Sequence, residues 1–453
     1  MKRLAVMVAV LAATPAFATN GLRLTAFSPL NASLGGAGVA FGMDSSALVL
    51  NPATMADLGS RVDFGAAYFP TTIKYSATSN YIGSGVPALE GLGALLVNQP
   101  NVTQTSDFPP VPIPNIGVII PLTKEWRLGL GMAAVAGAGT DYAANLFSST
   151  VQTTYFNFRF PIGVSWQVMD MLSVGATLNG SWALMGYSFG TSFGFPPHPV
   201  ASSFGVGATL GAKLKPLPIL AIGAAWESPT WFQPFKYNIG CANPGGAVPP
   251  GTFPQCGPLG VPGGREELKM DLPWNASLGV EVELLDGMLL LLGDAQYIAW
   301  STTLGPNQPS FVNSSATLTT QYFPFNANWE DQWVYKIGAQ LKATDWLKIR
   351  AGFNYGKAPQ DPDRAFENIA FPAFVESHVT VGLGLQLSSA VTLNLASVIG
   401  LENTISGTSP LPDLGPLVGA PPYPAPGSLP PATLSYKSSS AGYTVEAGLS
   451  VTY

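Results

Sequence analysis

The 453 residues are 47% hydrophobic and only 10% charged, whereas about a quarter of an average soluble protein is charged, so an ordinary water-soluble domain is excluded as the first reading. A net charge of −6 argues against a nucleic-acid partner, which would want a basic face. The two histidines, His198 and His378, lie far apart in sequence, and no metal cluster, Walker loop or dinucleotide fingerprint is present, so neither a metal nor a cofactor is expected.

The chain opens with Lys2 and Arg3, an apolar run from Leu4 to Leu11, and the small-x-small site Ala16-Phe17-Ala18. This is the pattern of a cleaved secretory signal peptide over 1–18. After it, no apolar run reaches the roughly 18 residues that a membrane helix needs. The most apolar internal stretch, Met288 to Leu292, is closed by Asp286-Gly287 and Gly293-Asp294. Only helices and closed barrels satisfy every backbone group inside lipid. The composition therefore predicts an all-β transmembrane antiparallel barrel over 61–453.

Residues 19–60 do not read as a membrane strand. Gly35, Gly36 and Gly38 permit tight turns, Asp44 is placed to cap a short helix through Ala47, Leu48 and Leu50, and Pro52 is placed to break it. Asn51-Pro52-Ala53-Thr54 follows. The segment is too apolar for a periplasmic tail, and the lumen of the barrel is the nearest place to bury it; a plug is expected.

From 61 onward, period-two alternation recurs in about fourteen segments, the signature of half-exposed strands. They are 61–75, 112–122, 126–137, 153–168, 171–187, 202–215, 218–237, 267–284, 287–303, 331–343, 346–356, 375–387, 390–402 and 441–453. Each is long enough for a tilted strand, which needs about 9–11 residues to cross the hydrocarbon. Every second connection is tight, as at Thr123-Lys124-Glu125, Met169-Asp170 and Ser388-Ser389. The others are long and rich in Pro, Gly and Ser. Short periplasmic turns, long outer loops and an even strand number are the marks of bacterial outer-membrane barrels. Cys241 and Cys256 fall in one long outer loop, where an oxidising compartment makes a disulfide the default. The terminal strand alternates Tyr443, Val445, Ala447, Leu449, Val451 and Tyr453 against polar or small residues. Such a terminus resembles the one read by the outer-membrane assembly machinery, with lipid as the other surrounding partner and a monomer as the expected state.

By parity the lumen face carries many glycines, among them Gly129, Gly131, Gly163, Gly205, Gly207, Gly382 and Gly384, and few charges. That suits a greasy path better than a water channel. Arg159, Lys336 and Arg350 are the candidates to receive a ligand carboxylate through charge-assisted hydrogen bonds. Alternatively, each pairs with a lumen carboxylate or a carbonyl of the plug, because a buried cation needs a partner. Gly190-Thr191-Ser192-Phe193-Gly194 matches the G-x-S-x-G nucleophile pattern but ends a strand and is followed by Pro196-Pro197 rather than a helix; no enzyme is expected.

The chain resembles the FadL/TodX-type outer-membrane transporters of long-chain fatty acids and hydrocarbons. The resemblance rests on Gly35-Gly36-Ala37-Gly38, Asn51-Pro52-Ala53, Pro114-Asn115-Ile116-Gly117 and Trp329-Glu330-Asp331-Gln332-Trp333. Asp345-Trp346, Arg350-Ala351-Gly352 and Ala358-Pro359 follow in order. It implies fourteen strands, an N-terminal hatch gated near Gly35, Gly36, Asn51, Pro52 and Ala53, and a ligand pocket against the hatch. It also implies a lateral opening through a kinked third strand, here Trp126 to Thr140, where Ala136-Gly137-Ala138-Gly139 could break the pairing. The sequence departs from the fatty-acid members in the short Ser188 to Ser202 loop and in Glu330, where a basic residue belongs. The expected function is passive uptake of a hydrophobic small molecule: long-chain fatty acid in the first place, aromatic or aliphatic hydrocarbon as the alternative. A general diffusion porin or structural barrel is the second alternative.

Overall fold

The computed structural model describes residues 19–70, 72–80, 102–146, 149–188, 198–239, 264–306, 310–314, 327–362, 368, 371–410 and 433–453. The signal segment, Cys241 and Cys256 with their expected disulfide, and the Gly190–Gly194 motif lie outside them.

A closed 14-strand antiparallel barrel forms the body. Strand β1 is Arg61–Phe69 continued by Thr72–Asn80, and β2 is Val102–Thr105 continued by Val111–Pro121. Then come β3 (Trp126–Leu146), β4 (Ser149–Met169), β5 (Leu172–Ser188), β6 (His198–Leu217) and β7 (Leu220–Glu227). After these follow β8 (Asn275–Leu284), β9 (Leu289–Ile298), β10 (Gln332–Lys342) and β11 (Leu347–Gly356). The last are β12 (Ser377–Gln386), β13 (Val391–Pro410) and β14 (Thr433–Thr452). Each pairs with its chain neighbour, and β14 closes the ring on β1 from Thr452↔Arg61 to Val445↔Tyr68.

Side-chain alternation explains the closure. Phe64, Tyr68, Ile162, Leu178, Phe204, Leu278, Trp333 and Ile337 stay exposed on the outer face. Such a belt has no place in water and fits the hydrocarbon of a bilayer. Their neighbours one residue away point inward and are buried, for example Asn179, Ser203, Gln332 and Lys336.

The strands correct the sequence reading in extent. β3 and β4 run 21 residues, and β13 and β14 run 20; the excess lies at the ends away from the tight turns. There, runs such as Lys437-Ser438-Ser439-Ser440 are polar on both faces, so alternation does not mark them. The expected seventh and eighth strands are shorter than 218–237 and 267–284. β7 stops at Glu227 because Ser228-Pro229 interrupts the ladder; beyond it the bridge Thr230↔Leu272 carries the pairing toward β8, and Trp231–Phe232 pair again with β6. Beyond it, Phe235–Ile239, Gly264–Lys269 and Ser310–Ser314 form a separate three-stranded sheet. The ninth strand ends at Ile298 and gives way to a short helix, Ser301–Leu304.

The leading segment is buried almost throughout from Thr19 to Ala56. It holds two short paired strands, Thr19–Asn20 and Arg23–Leu24, helices Pro29–Ala32 and Ala47–Leu50, and a 3-10 turn Pro52–Asp57. The capping differs from expectation. Ser46, not Asp44, stands at the N-cap of the second helix. Asp44 lies two residues earlier, accepts from Ser46 N at 2.9 Å and from Ser28 Oγ at 2.6 Å, and so ties the two halves of the segment together. Burial pushes the Asp44 carboxyl above the usual carboxylate range, Asp63 beside it adds to this, and the Arg61 guanidinium opposes it. The helix stops at Leu50, as the position of Pro52 predicts, and Pro52 then starts a separate 3-10 turn.

Candidate functional site

The Asn51-Pro52-Ala53 triplet has a mechanical reason. Pro52 opens the 3-10 turn, where its missing N–H costs nothing. Asn51 caps that turn, its Oδ1 accepting from Ala53 N at 3.0 Å. Asn51 Nδ2 donates to Val39 O at 2.6 Å and to Ala212 O of β6 at 3.0 Å. One buried amide thus caps a turn, fastens a loop and docks both onto the wall. Gly35 and Gly36 adopt φ +69 and +76, in the left-handed region that glycine tolerates. A Cβ on Gly35 would stand 2.8 Å from backbone atoms of Ile337 and Phe353, so this turn is pressed against β10 and β11. Thr380 Oγ1 of β12 accepts from Gly35 N at 2.9 Å. Asp294 Oδ2 of β9 accepts from Gly38 N at 2.7 Å and Val39 N at 3.1 Å. These hydrogen bonds hold the segment from several sides of the ring.

A second interruption of the wall, besides that at Ser228-Pro229, lies between β2 and β3. β2 pairs with β3 only as far as Asn115↔Ala133. Across its other edge, β3 shifts register against β4 between Ala134 and Ala136, which leaves Val135 as an extra residue. That is a β-bulge, which bends its strand and disrupts the ladder. Past the bulge, β3 meets the leading segment instead of β2: Ala136 pairs with Arg23, and Gly137 N donates to Leu22 O at 2.9 Å. Contact with the β2 side resumes at Asp107 N, which donates to Asp141 O at 2.8 Å. Ala136, Gly137, Ala138 and Gly139 all border a cavity at this break. Leu24 and Phe69 line it from within, while Phe156 and Phe158 belong to the outward-facing row of β4. The cavity is thus lined both by residues of the inner side and by residues of the outward-facing row. Gly139 matters for its bore, because a Cβ there would overlap the Phe108 ring.

Beside the bulge lies a buried charge cluster. Arg23 binds Glu227 bidentately, at 2.9 and 2.6 Å, and Arg159 donates to the same carboxylate at 2.7 Å. Two guanidiniums share one anion in a site closed to solvent. Arg159 Nη2 also approaches Thr230 Oγ1 at 3.3 Å, whereas its Nε and Nη1 have no hydrogen-bond partner among the described residues. Lys336 is buried on β10, opposite Asp294 of β9 in the ladder. Arg350, on β11, donates to Gln340 and Asn394 at 2.7 and 2.9 Å. The three basic candidates thus belong to three separate sets of partners, not to one anion cradle. Sequence reasoning missed Arg23 and Glu227. A signal existed for Arg23, since Arg23, Asp44 and Asp57 are the charged residues of an otherwise apolar segment. Glu227 sits where β7 ends, and nothing in its flanks announces its partners.

The lumen glycines take a different meaning. A Cβ on Gly117, Gly175, Gly211, Gly223, Gly338 or Gly382 would collide with Ser45, Pro52, Asn51, Val39, Leu34 and Ser33 respectively, each at 2.6 Å or less. These positions are small because the leading segment lies on them; of the glycines read from parity, Gly129 and Gly382 share that reason, whereas Gly205 faces Phe232, Gly207 faces Pro229 and Gly384 faces Arg350.

Comparison with known proteins agrees with the architecture. The family model described as outer membrane protein transport protein (OMPP1/FadL/TodX) matches residues 7–185 and 200–405. The fold is similar to the toluene transporter TodX of P. putida, at 17% identity, 95% of this chain, 99% of that chain and TM-score 0.66. It is also similar to a Pseudomonas aeruginosa FadL homologue, at 18% identity, 95% and 99% coverage and TM-score 0.70. A third similar structure is the CymD monoaromatic hydrocarbon channel, at 15% identity, 96% and 99% coverage and TM-score 0.59. Against curated proteins, the sequence gives no match.

Proposed function

The chain belongs to the outer membrane protein transport family (OMPP1/FadL/TodX) and is an outer-membrane protein for hydrophobic compounds, and from that premise we propose passive uptake of a neutral hydrocarbon with release sideways into the membrane. The single observation that carries this reading is the break between β2 and β3, bordered by Ala136 to Gly139 and roofed by phenylalanines. An aromatic-walled exit at membrane depth spares a greasy molecule from water, a saving of about 0.8 kcal/mol per methylene. The leading segment acts as the hatch. Its Arg23–Leu24 strand stops the break from inside, and release of Arg23 from Glu227 widens the path. Gly35-Gly36 and Asn51-Pro52-Ala53 are the fixed docking points about which that end moves. No energy-coupling element is invoked; the gradient drives the flux.

Long-chain fatty acid is the second reading. The observation that favours it is Arg159, a guanidinium closed to solvent with two unused donors, which suit a carboxylate. Uptake of radiolabelled toluene and oleate by cells that depend on this protein separates the two. Toluene uptake lost on deletion of the gene, with oleate uptake unchanged, supports the hydrocarbon reading. The reverse pattern supports the fatty acid, and no difference for either compound sinks the transport reading.

A further inference from the structure

At the tight-turn end of β10 and β11 the inner face carries three cations in succession. Leu341 and Ile349 are exposed on the outer face, so by alternation Gln340, Lys342, Lys348 and Arg350 point into the lumen. Lys342 stands directly opposite Lys348 in the ladder, and Gln340 opposite Arg350. Like charges directly opposite one another weaken a sheet. Relief is slight: Lys342 pairs at 2.8 Å with Asp345, a turn residue whose side chain is 97% exposed, and an ion pair in such a place is worth little. Among the described residues neither Lys348 nor Arg350 forms an ion pair. Arg350 is buried, and a guanidinium keeps its charge in proteins. Its Nε and Nη1 donate to the neutral amides of Gln340 and Asn394, which orient the group without balancing it. Two further charged groups bear on the pair and both are occupied: Asp44 accepts from Ser28 and Ser46, and Arg61 is matched by Asp63.

We infer that this face is a binding site for a small, doubly charged soluble anion, a phosphate or a dicarboxylate, with Arg350 Nη2 and Lys348 Nζ donating to its oxygens. Two positive charges side by side match two negative ones, and hydrogen bonds between charged groups are about twice as strong as neutral ones. A planar guanidinium beside a flexible ammonium is a pairing suited to an oxyanion. The anion comes from the tight-turn side. One inward position further along β10 and β11, Gly338 and Gly352 are covered by Leu34 and Gly35 of the leading segment, which closes the way from the other end. Lipid headgroups meet the outer face of these strands and do not reach the site. The anion is distinct from the hydrophobic cargo, so the site stands or falls apart from the uptake reading. Binding relieves the opposition of Lys342 and Lys348 and braces the wall under the leading segment.

The test is calorimetric titration of the purified full-length protein in non-ionic detergent with sodium phosphate, succinate, acetate and chloride at matched ionic strength. Phosphate or succinate is expected to bind at least about tenfold tighter than acetate and chloride; the tighter of the two gives the class of the ligand. Equal responses to all four anions mean general screening of charge and overturn the proposal, a result that needs no variant. Lys348→Gln should weaken the preferred anion about tenfold. Lys348 is half-buried at the strand end and its loss removes a repulsion, so the variant should fold, and heat-modifiable migration on gels checks this. Unchanged binding in the folded variant overturns the assignment. Lys215→Gln, which removes an exposed lysine at the tight-turn end of β6, should leave binding as it was. An equal loss there would mean that charge anywhere on the rim suffices, and the site would be abandoned.

Discussion

Glu227 is the most constrained carboxylate in the lumen. It is 3% exposed and holds two guanidiniums, one from the leading segment and one from the wall. Removing one partner of a buried pair leaves uncompensated charge and costs about 3–5 kcal/mol. Glu227→Gln should therefore lower the unfolding free energy measured in urea by about that margin, with a lower urea midpoint, and free the Arg23 end of the segment. Arg23→Met on top of Glu227→Gln should recover part of the loss, because it removes one of the stranded cations; a double variant no better than the single would mean that the cluster is not a closed ion-pair unit. Asn51 is the polar counterpart. Asn51→Ala removes a cap and two hydrogen bonds to carbonyls, and each cap or hydrogen bond is worth about 1 kcal/mol. Spontaneous current through the protein in planar bilayers should become more frequent, and a silent Asn51→Ala channel would contradict the docking role. Neither residue's weight was legible beforehand in the same degree. Asn51 stands in a motif that points to itself, whereas Glu227 gains its meaning only from Arg23 and Arg159, 204 and 68 residues away.

At the scale of elements, all fourteen strands could be read from alternation, because one face meets lipid and the other a packed interior. What alternation could not show was their upper ends and their defects. Polar extensions such as Lys437-Ser438-Ser439-Ser440 lack an apolar face, and Ser228-Pro229 breaks β7 within a stretch that otherwise alternates. The run Ala136-Gly137-Ala138-Gly139 did point to the third strand, but the feature that bends it is the single extra residue Val135, which no composition reveals. Deleting Val135 should restore the register between β3 and β4 and let β3 approach β2 beyond Ala133. Uptake of the cargo should fall at least tenfold while heat-modifiable folding is kept. A Val135 deletion that transports normally would show that the break in the ladder is not the way out. A bulkier test of the same bore is Gly139→Leu, whose side chain would fill the space against Phe108; it should slow uptake without touching the charge cluster.

For the whole molecule, the question is what occupies the lumen of so wide a barrel. Eight strands are filled by their own side chains, whereas sixteen to eighteen leave an aqueous pore, and fourteen strands with an inner face rich in glycine stand near the second case. The lumen is filled instead by the leading segment, and the wall glycines record its shape residue by residue, as Gly211 against Asn51 and Gly223 against Val39 show. The ring itself does not depend on that filling. Its backbone hydrogen bonds run from strand to strand and close through β14 on β1. Deleting 19–60 from the mature chain should thus leave a barrel that inserts and shows heat-modifiable migration. Its single-channel conductance should rise from near zero to a steady open level, and liposomes carrying it should swell in sugars that the intact protein excludes. The buried Arg159, Lys213 and Asp294 would then face water, so loss of their partners would cost less than in a dry interior. If the shortened protein conducts no more than the intact one, the leading segment does not close the lumen, and the glycine-lined wall must be explained without it.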